Sequence, residues 1–139
     1  MRGIKFDVST IRYMSLFETL TRAKPKDCFF DSNKHLVFVI QQGNMARAIG
    51  KHGSTVKKLE RTLKKKIKII EFNPNLLNFI SSLIAPVKAK EIKIHDKTVI
   101  ITPSDLRTRG LLIGRGAKNL RNFENITKKY FDIKEIRVI

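Results

Sequence analysis

The chain has 139 residues with 29 Lys and Arg against 12 Asp and Glu, and the resulting net charge of +17 indicates a polyanionic partner, nucleic acid first. Its hydrophobic fraction of 42%, with 7 Gly and 4 Pro, excludes a disordered or low-complexity protein and leaves room for one ordinary domain or two small ones. A single Cys excludes a disulfide framework, and because the Cys and the 3 His residues lack zinc-ligand spacing we expect no metal site and no cofactor.

The first half of the chain predicts six elements in the order helix, strand, strand, helix, helix, strand. Residues 11–20 carry apolar side chains at the spacing of one helix face, beginning with Ile11, whereas residues 36–40 are continuously apolar and predict a strand. The predicted elements, in chain order, are a helix around 11–20, strands at 28–30 and 36–40, a short helix capped by Asn44 that ends at Gly50, a longer helix that starts at Ser54 and buries Leu59, and a strand at 67–72.

The second half predicts the same six elements in the same order. Pro74 is expected to open the first helix and Pro86 to stop it, since proline fits the first turn of a helix but not its interior. The remaining predicted elements are strands at 92–95 and 98–101, a helix capped by Ser104 that runs to Leu112, a helix from Ala117 to Tyr130, and a strand at 133–139.

The order of elements repeats because the sequence itself repeats. Residues 49–60, IGKHGSTVKKLE, align with residues 113–124, IGRGAKNLRNFE, at an offset of 64 residues (from 49 to 113). We therefore predict a tandem duplication, with a first domain at 1–72 that includes a short N-terminal extension and a second domain at 73–139. Because each helix and strand must bury one face, the predicted fold class of each copy is α+β, with helices packed on one face of a small three-stranded sheet.

A glycine turn separates the two consecutive helices of each copy and lies in its most basic part. Residues 44–68 and 105–129 together carry 13 of the 17 excess positive charges. Glycine permits a positive φ and lets a phosphodiester approach backbone amides, and the N-terminus of the following helix favours an anion. These properties predict a phosphate clamp formed by the backbone amides of residues 50–53 and 114–117.

The candidate binding residues are the turns themselves, the cations around them and the apolar residue before each turn. That apolar residue is expected to anchor the turn in the core and to offer an apolar floor to bases. In the first copy the candidates are Arg47, Ile49, Gly50, Lys51, His52, Gly53, Lys57 and Lys58. In the second copy they are Ile113, Gly114, Arg115, Gly116, Ala117, Lys118 and Arg121. For Lys64–Lys66, direct contact with nucleic acid and a solvated helix end both remain open.

The turn sequence and the order of elements together resemble a known family. Ile-Gly-Lys-His-Gly at 49–53 resembles the KH domain, in the type whose extra elements lie on the N-terminal side. Residues 113–120, Ile-Gly-Arg-Gly-Ala-Lys-Asn-Leu, are similar to the Ile-Gly-Arg-Gly-Gly-x-Asn-Val signature of the second KH domain of NusA transcription factors. Two tandem KH domains without an S1 domain or a polymerase-binding N-terminal domain look like the compact archaeal NusA-like proteins.

The resemblance implies single-stranded RNA as the ligand, with each KH groove clamping about four nucleotides. It also implies a role in transcription termination or antitermination and RNA polymerase as a candidate protein partner. No apolar run reaches the ~18 residues of a transmembrane helix, and the first residues lack the apolar stretch of a signal peptide. We therefore expect a cytoplasmic protein with no membrane partner. The sequence leaves the oligomeric state open, with a monomer favoured.

Ala117 departs from the family pattern, because it stands where the last glycine of the turn is expected. If Ala117 already belongs to the following helix, alanine is favourable there. If it must adopt a positive φ, it costs roughly 1 kcal/mol and opens the clamp. The sequence leaves both alternatives open.

Two other binding functions also remain open. A KH-type protein of ribosome or RNA-processing assembly would share the basic two-copy pattern, and the KH unit with Ala117 could dock a protein such as RNA polymerase instead of RNA. No enzyme is expected, because neither glycine turn continues as a P-loop and no paired carboxylates suit a metal-dependent nuclease. The aromatic residues expected to lie mostly in the core, and not to stack on bases, are Phe29, Phe30, Phe38 and Phe72.

Overall fold

The computed structural model describes residues 8–139, which form two compact units, the first ending at Asn73 and the second beginning at Pro74. Each unit has the order helix, strand, strand, helix, helix, strand, which confirms the predicted α+β fold class. A short 3-10 turn joins the two consecutive helices of each unit, at 51–53 and at 115–117.

The first unit contains three helices and a three-stranded mixed sheet. Its elements are α1 (Val8–Thr21), β1 (Pro25–Phe30), β2 (Leu36–Ile40), α2 (Met45–Ile49), α3 (Ser54–Leu63) and β3 (Ile67–Glu71). The central strand, β2, is antiparallel to β1 and parallel to β3. A parallel neighbour needs a crossover connection, and α2, the glycine turn and α3 together supply it. The turn therefore lies within the connection that the sheet topology requires.

Large apolar side chains of α1 and α3 form the core of the first unit with the sheet. Phe17 stacks on Phe38 with ring centroids 4.3 Å apart, and Leu59 is fully buried in the same cluster. Burial of one side chain of this size contributes about 1.5–3 kcal/mol. Ile11, the first residue of the predicted apolar face, is instead 56% exposed, because α1 buries side chains only in its C-terminal half.

The second unit has the same topology. Its elements are α4 (Leu76–Ile84), β4 (Ala89–His95), β5 (Thr98–Pro103), α5 (Leu106–Ile113), α6 (Lys118–Lys128) and β6 (Glu135–Val138). The central strand, β5, is antiparallel to β4 and parallel to β6. Phe79 of α4 packs against Tyr130 and Phe131, which follow α6, with ring centroids 5.6 and 5.2 Å away.

Two helices of the second unit begin differently from the prediction. Pro74 does not open α4, which begins at Leu76, and Asn75 caps it, since its side-chain oxygen accepts a hydrogen bond from a backbone amide one turn further on. Asp105, and not Ser104, caps α5 and accepts from the Thr108 amide at 2.7 Å. In both cases the residue with extended backbone directly before the helix is the one whose side chain reaches the free amides.

Asn44 occupies the predicted N-cap position of α2 but makes no capping hydrogen bond. Its Oδ1 accepts from the Lys24 amide, and its Nδ2 donates to the carbonyls of Gln41 and Gln42. Asn44 therefore ties the segment before α2 to the segment before β1 and leaves the helix end uncapped by a side chain.

Candidate nucleic-acid interface

The two glycine turns have the same backbone conformation. Gly50 and Gly114 have φ/ψ angles of 76°/172° and 73°/174°. Two residues further on, His52 and Gly116 both adopt the left-handed region, with φ angles of 56° and 62°. The sequence repeat therefore corresponds to two copies of one structural turn.

Space as well as φ requires glycine at the first position of each turn. A Cβ on Gly50 would lie 2.1 Å from Thr55 Oγ1, and a Cβ on Gly114 would lie 2.7 Å from Asn119 Cγ. Asn119 Nδ2 also donates to the Leu111 carbonyl at 2.9 Å, which holds α6 against the end of α5. Thr55 and Asn119 are missing from the predicted site residues, although Asn119 belongs to the signature of the second copy and could have been identified from it.

The first turn uses two of its own amides to close itself. The Gly50 amide donates to a carbonyl of α2 at 2.9 Å, and the Gly53 amide donates to the Gly50 carbonyl at 3.2 Å. These two amides are therefore engaged within the protein, and their binding of phosphate stays a prediction. The amides of Lys51 and His52 have no hydrogen-bond partner among the described residues, and they remain available to a ligand.

The second turn divides its amides in the same way. The Gly114 amide donates to the Gly110 carbonyl at 2.8 Å, and the Ala117 amide donates to the Gly114 carbonyl at 3.2 Å. Within the described part of the chain, the amides of Arg115 and Gly116 have no partner. Each turn thus offers two adjacent free amides at the start of a helix.

Ala117 has a left-handed backbone, with φ 62° and ψ 22°, and it precedes α6, which begins at Lys118. The prediction that the helix starts at Ala117 is therefore wrong, and the strained one of the two alternatives applies. Gly53 has nearly the same angles in the first turn, φ 72° and ψ 16°. Alanine in this region costs about 1 kcal/mol relative to glycine, because its Cβ crowds the backbone.

The side chains around the first turn form an exposed cationic surface. Arg47, Lys51, Lys57 and Lys58 are all exposed, and no carboxylate of the described residues pairs with any of them. His52 is exposed beside them. Their charges are therefore fully available to an anionic ligand.

The apolar residues before the turns are less buried than predicted. Ile49 is 38% exposed, and Ile113 is half-buried. The expected anchoring in the core is wrong for Ile49, because Ala48 is the residue of α2 that the core encloses. Ile49 instead presents apolar surface next to the free amides, where it can contact a base.

The cations of the second turn are only partly available. Arg115 and Lys118 are exposed. The guanidinium of Arg121, however, lies 3.3 Å from a carboxylate oxygen of Glu124, on the same face of α6. The positive potential at the second turn is therefore weaker than that at the first.

The acidic residues at equivalent positions of α3 and α6 are directed inward. Glu60 accepts a hydrogen bond from the Ile67 amide at 3.1 Å, and Glu124 accepts one from the Ile136 amide at 2.8 Å. Each carboxylate attaches its helix to the strand that follows. The outer face of α3 consequently keeps its positive charge, whereas on α6 Glu124 also pairs with Arg121.

A sequence model of the KH domain matches residues 11–80, half of the chain, and includes the whole first glycine turn. The chain belongs to the KH-domain family. In KH domains a glycine-bounded loop between two helices clamps the backbone of about four nucleotides. The match begins within α1 and includes the other five elements of the first unit, so the turn at 50–53 lies inside the matched KH domain, between two consecutive helices.

Full-length relatives extend the likeness to both units. The "Probable transcription termination protein NusA" of Methanococcus vannielii is 32% identical over 98% of this chain and 80% of that protein. Proteins of the same name from Halococcus morrhuae and Thermoplasma acidophilum are 28% and 25% identical, over 94% and 99% of this chain and 94% and 97% of their own lengths. The crystal structure of APE1850, 26% identical, matches with a TM-score of 0.75 over 96% of this chain and 100% of that one.

The four aromatic residues of the first KH unit that were expected mostly in the core are enclosed to different degrees. Phe38 is fully buried, and Phe29 and Phe72 are half-buried. Phe30 is 50% exposed, because it is the last residue of the edge strand β1. Its ring is therefore accessible from solvent.

Lys68, on β3, differs from the exposed cations of the same KH unit. Burial lowers the pKa of its ammonium, and the charge of Asp31 opposes that shift. Lys68 is half-buried and does not belong to the exposed cationic surface around the turn.

Within residues 8–139, no group of three or more His, Cys, Asp or Glu side chains is placed to hold a metal ion. In the same range no helix is long and apolar enough to cross a membrane.

Proposed function

We propose that this protein is a single-stranded RNA-binding factor of the archaeal NusA type, not an enzyme, and that it acts in transcription termination or antitermination through one KH domain in each unit. The proposal is carried by the repeated turn, which in both units offers two free amides beside exposed cations. The KH match supports RNA as the ligand, and the names of the relatives support the transcriptional role. RNA polymerase is the protein partner that such a role would require.

In the proposed first site, the amides of Lys51 and His52 donate hydrogen bonds to one phosphate of the RNA. Because α3 begins directly after the turn, the positive end of its dipole adds to the attraction. The exposed ammonium groups of Lys57 and Lys58 lie in the first turns of the same helix and attract the neighbouring phosphates. Ile49 supplies apolar surface to a base.

Replacement of Lys51 and His52 by Asp tests the first site. Both side chains are exposed, so we expect the fold to persist, and two carboxylates beside the free amides would repel phosphate. The affinity of the full chain for single-stranded RNA, measured by fluorescence anisotropy, should fall by more than about tenfold. The salt dependence of binding should also become shallower, by ~0.7 in log-log slope for each phosphate that the variant no longer neutralises.

A charge-matched control uses Lys90→Asp together with Asn78→Asp, at exposed positions away from either turn sequence. This pair changes the net charge by the same amount as Lys51→Asp with His52→Asp, and we expect it to retain close to wild-type affinity. Wild-type affinity in the turn variant, or an equal loss in the control, would remove the turn from the binding site.

A second function, docking of a protein by the second unit, is favoured by two observations there. Leu106 and Leu111 expose apolar side chains on α5, and Arg121 is already paired with Glu124. Arg115→Asp together with Lys118→Asp in the full chain separates the alternatives. A loss of RNA affinity supports two RNA sites, and unchanged RNA affinity supports protein docking by the second unit.

A further inference from the structure

Phe30 presents an accessible aromatic ring that is contacted by two neighbours. Tyr13 of α1 makes an edge contact with it, with ring centroids 6.2 Å apart and ring planes at 85°. Lys65 Nζ lies 5.5 Å from the centre of the Phe30 ring. Half of the side chain nevertheless remains open to solvent. The ring therefore has neighbours on the protein without being enclosed.

The surroundings of Phe30 are cationic. Lys34, in the turn between β1 and β2, is exposed. Lys64 and Lys66, on either side of Lys65, are exposed as well. The nearest acid in sequence, Asp31, has a fully buried carboxylate that accepts hydrogen bonds from two backbone amides of its own turn. An exposed ring among positive charges offers a nucleotide a stacking surface for its base and partners for its phosphate.

A row of cations connects this ring with the first glycine turn. Helix α3 has 10 residues and so spans about 15 Å from the turn to the start of Lys64–Lys66. Lys57 and Arg61 are exposed and four residues apart, which places them on one face of α3, and the exposed Lys64 follows at the left-handed residue that ends the helix. Glu60 does not interrupt the row, because its carboxylate is bonded to a backbone amide of β3.

Like charges four residues apart, as at Lys57 and Arg61, destabilise a free helix, and a polyanion along the row would offset this repulsion. A strand of RNA held at the turn would relieve the repulsion by following the row toward Lys65. Its path would then end at the accessible ring of Phe30.

We propose that Phe30 stacks on a base of the bound RNA, as a contact separate from the glycine turn and about one helix length away from it. Lys65 and its neighbours bind the phosphates next to that base. This inference rests on the proposed RNA-binding function of the first unit. Because every base has a flat π-face, the contact lengthens the bound segment without imposing a strong sequence preference.

The absence of Trp from the sequence provides a direct test. Phe30→Trp introduces a single indole at the proposed contact, and stacking of a base on it should quench its fluorescence. We expect quenching by a single-stranded RNA of about 12 nucleotides but not by one of about four, which the turn alone accommodates. An indole emission that does not change at saturating concentrations of the longer RNA would overturn the proposal.

Affinity measurements on the full chain separate stacking from a structural role. Phe30→Leu keeps an apolar side chain but removes the π-face, and it should weaken binding of the longer RNA on the order of tenfold while leaving the shorter RNA unaffected. Phe30→Tyr keeps the ring and should restore the affinity. Equal affinities of Phe30→Leu and wild type for the longer RNA would refute the stacking contact and leave the turn site intact. Failure of wild type to bind either RNA would instead refute the proposed function itself.

Discussion

Each glycine turn contains one left-handed residue other than glycine, His52 in the first and Ala117 in the second. The residue equivalent to His52 in the second turn is Gly116, and the residue equivalent to Ala117 in the first turn is Gly53. Both glycines are also left-handed. Each turn therefore holds a similar backbone strain, of about 1 kcal/mol, at a different position. Strain of this kind persists where the surrounding structure imposes it and is common at binding sites.

Ala117→Gly should stabilise the chain by about 1 kcal/mol, because glycine adopts the left-handed region without crowding. The matched control is Gly53→Ala in the first turn. A Cβ on Gly53 would have no contact closer than 3.9 Å, so only its φ opposes the change, and we expect a loss of about the same size. Urea denaturation of both variants measures the two effects. A loss of stability in Ala117→Gly would mean that Ala117 is not left-handed in solution.

The positions of the two turns could be predicted from the sequence. Glycine that recurs at the same place in both copies indicates a shared backbone requirement, such as a turn. The conformation of Ala117 could not be predicted, since alanine is compatible with either a helix start or a strained cap. The division of the amides was also inaccessible, because the bonds of Gly50 and Gly114 to the preceding helix depend on how that helix ends. Only the folded turn distinguishes closing amides from free ones.

At the scale of elements, helix α5 leads directly into the second turn, so the stability of its start bears on the site. Asp105 caps this helix, and the hydrogen bonds from Thr108 lower the pKa of its carboxyl below the ordinary value of 3.8. A depressed folded-state pKa means that the carboxylate stabilises the folded chain at pH values above 3.8. That contribution is lost as the pH falls through the lower folded-state pKa.

Asp105→Ala should therefore destabilise the chain at neutral pH, and the difference from wild type should shrink under acidic conditions. Asp105→Asn, which keeps a capping side chain without a titrating group, is the control and should retain more stability than Asp105→Ala. Thermal unfolding of the three proteins between neutral and acidic pH provides the measurement. A difference between wild type and Asp105→Ala that does not depend on pH would contradict the capping role of the carboxylate.

Buried elements were easier to predict than edge elements. The central strand β2 is fully buried and matches its predicted bounds, Leu36–Ile40. A short, continuous run of apolar residues is typical of a buried strand, which made these bounds predictable. Strand β1 begins at Pro25, three residues before its predicted start. Residues 25–27 have no strand-like pattern of their own, and they are extended because their backbone pairs with β2 across an irregularity in the register.

At the scale of the whole molecule, the two units share a fold but differ in how their charges are compensated. In the second unit, Lys97 pairs with Asp132 at 2.8 Å, and Lys134 pairs with Asp96 at 3.2 Å. Around the first turn the described carboxylates leave the cations unpaired. The duplication thus supplies two similar turns, and the first has the stronger field for a polyanion.

The central claim is that the free amides of both turns hold the phosphates of single-stranded RNA, and amide chemical shifts measured during an RNA titration test it most directly. The largest changes should occur at the amides of Lys51, His52, Arg115 and Gly116, and smaller ones at Gly53 and Ala117, whose amides close the turns. Saturating RNA that shifts amides elsewhere in the chain while leaving those four amides unchanged would contradict the account.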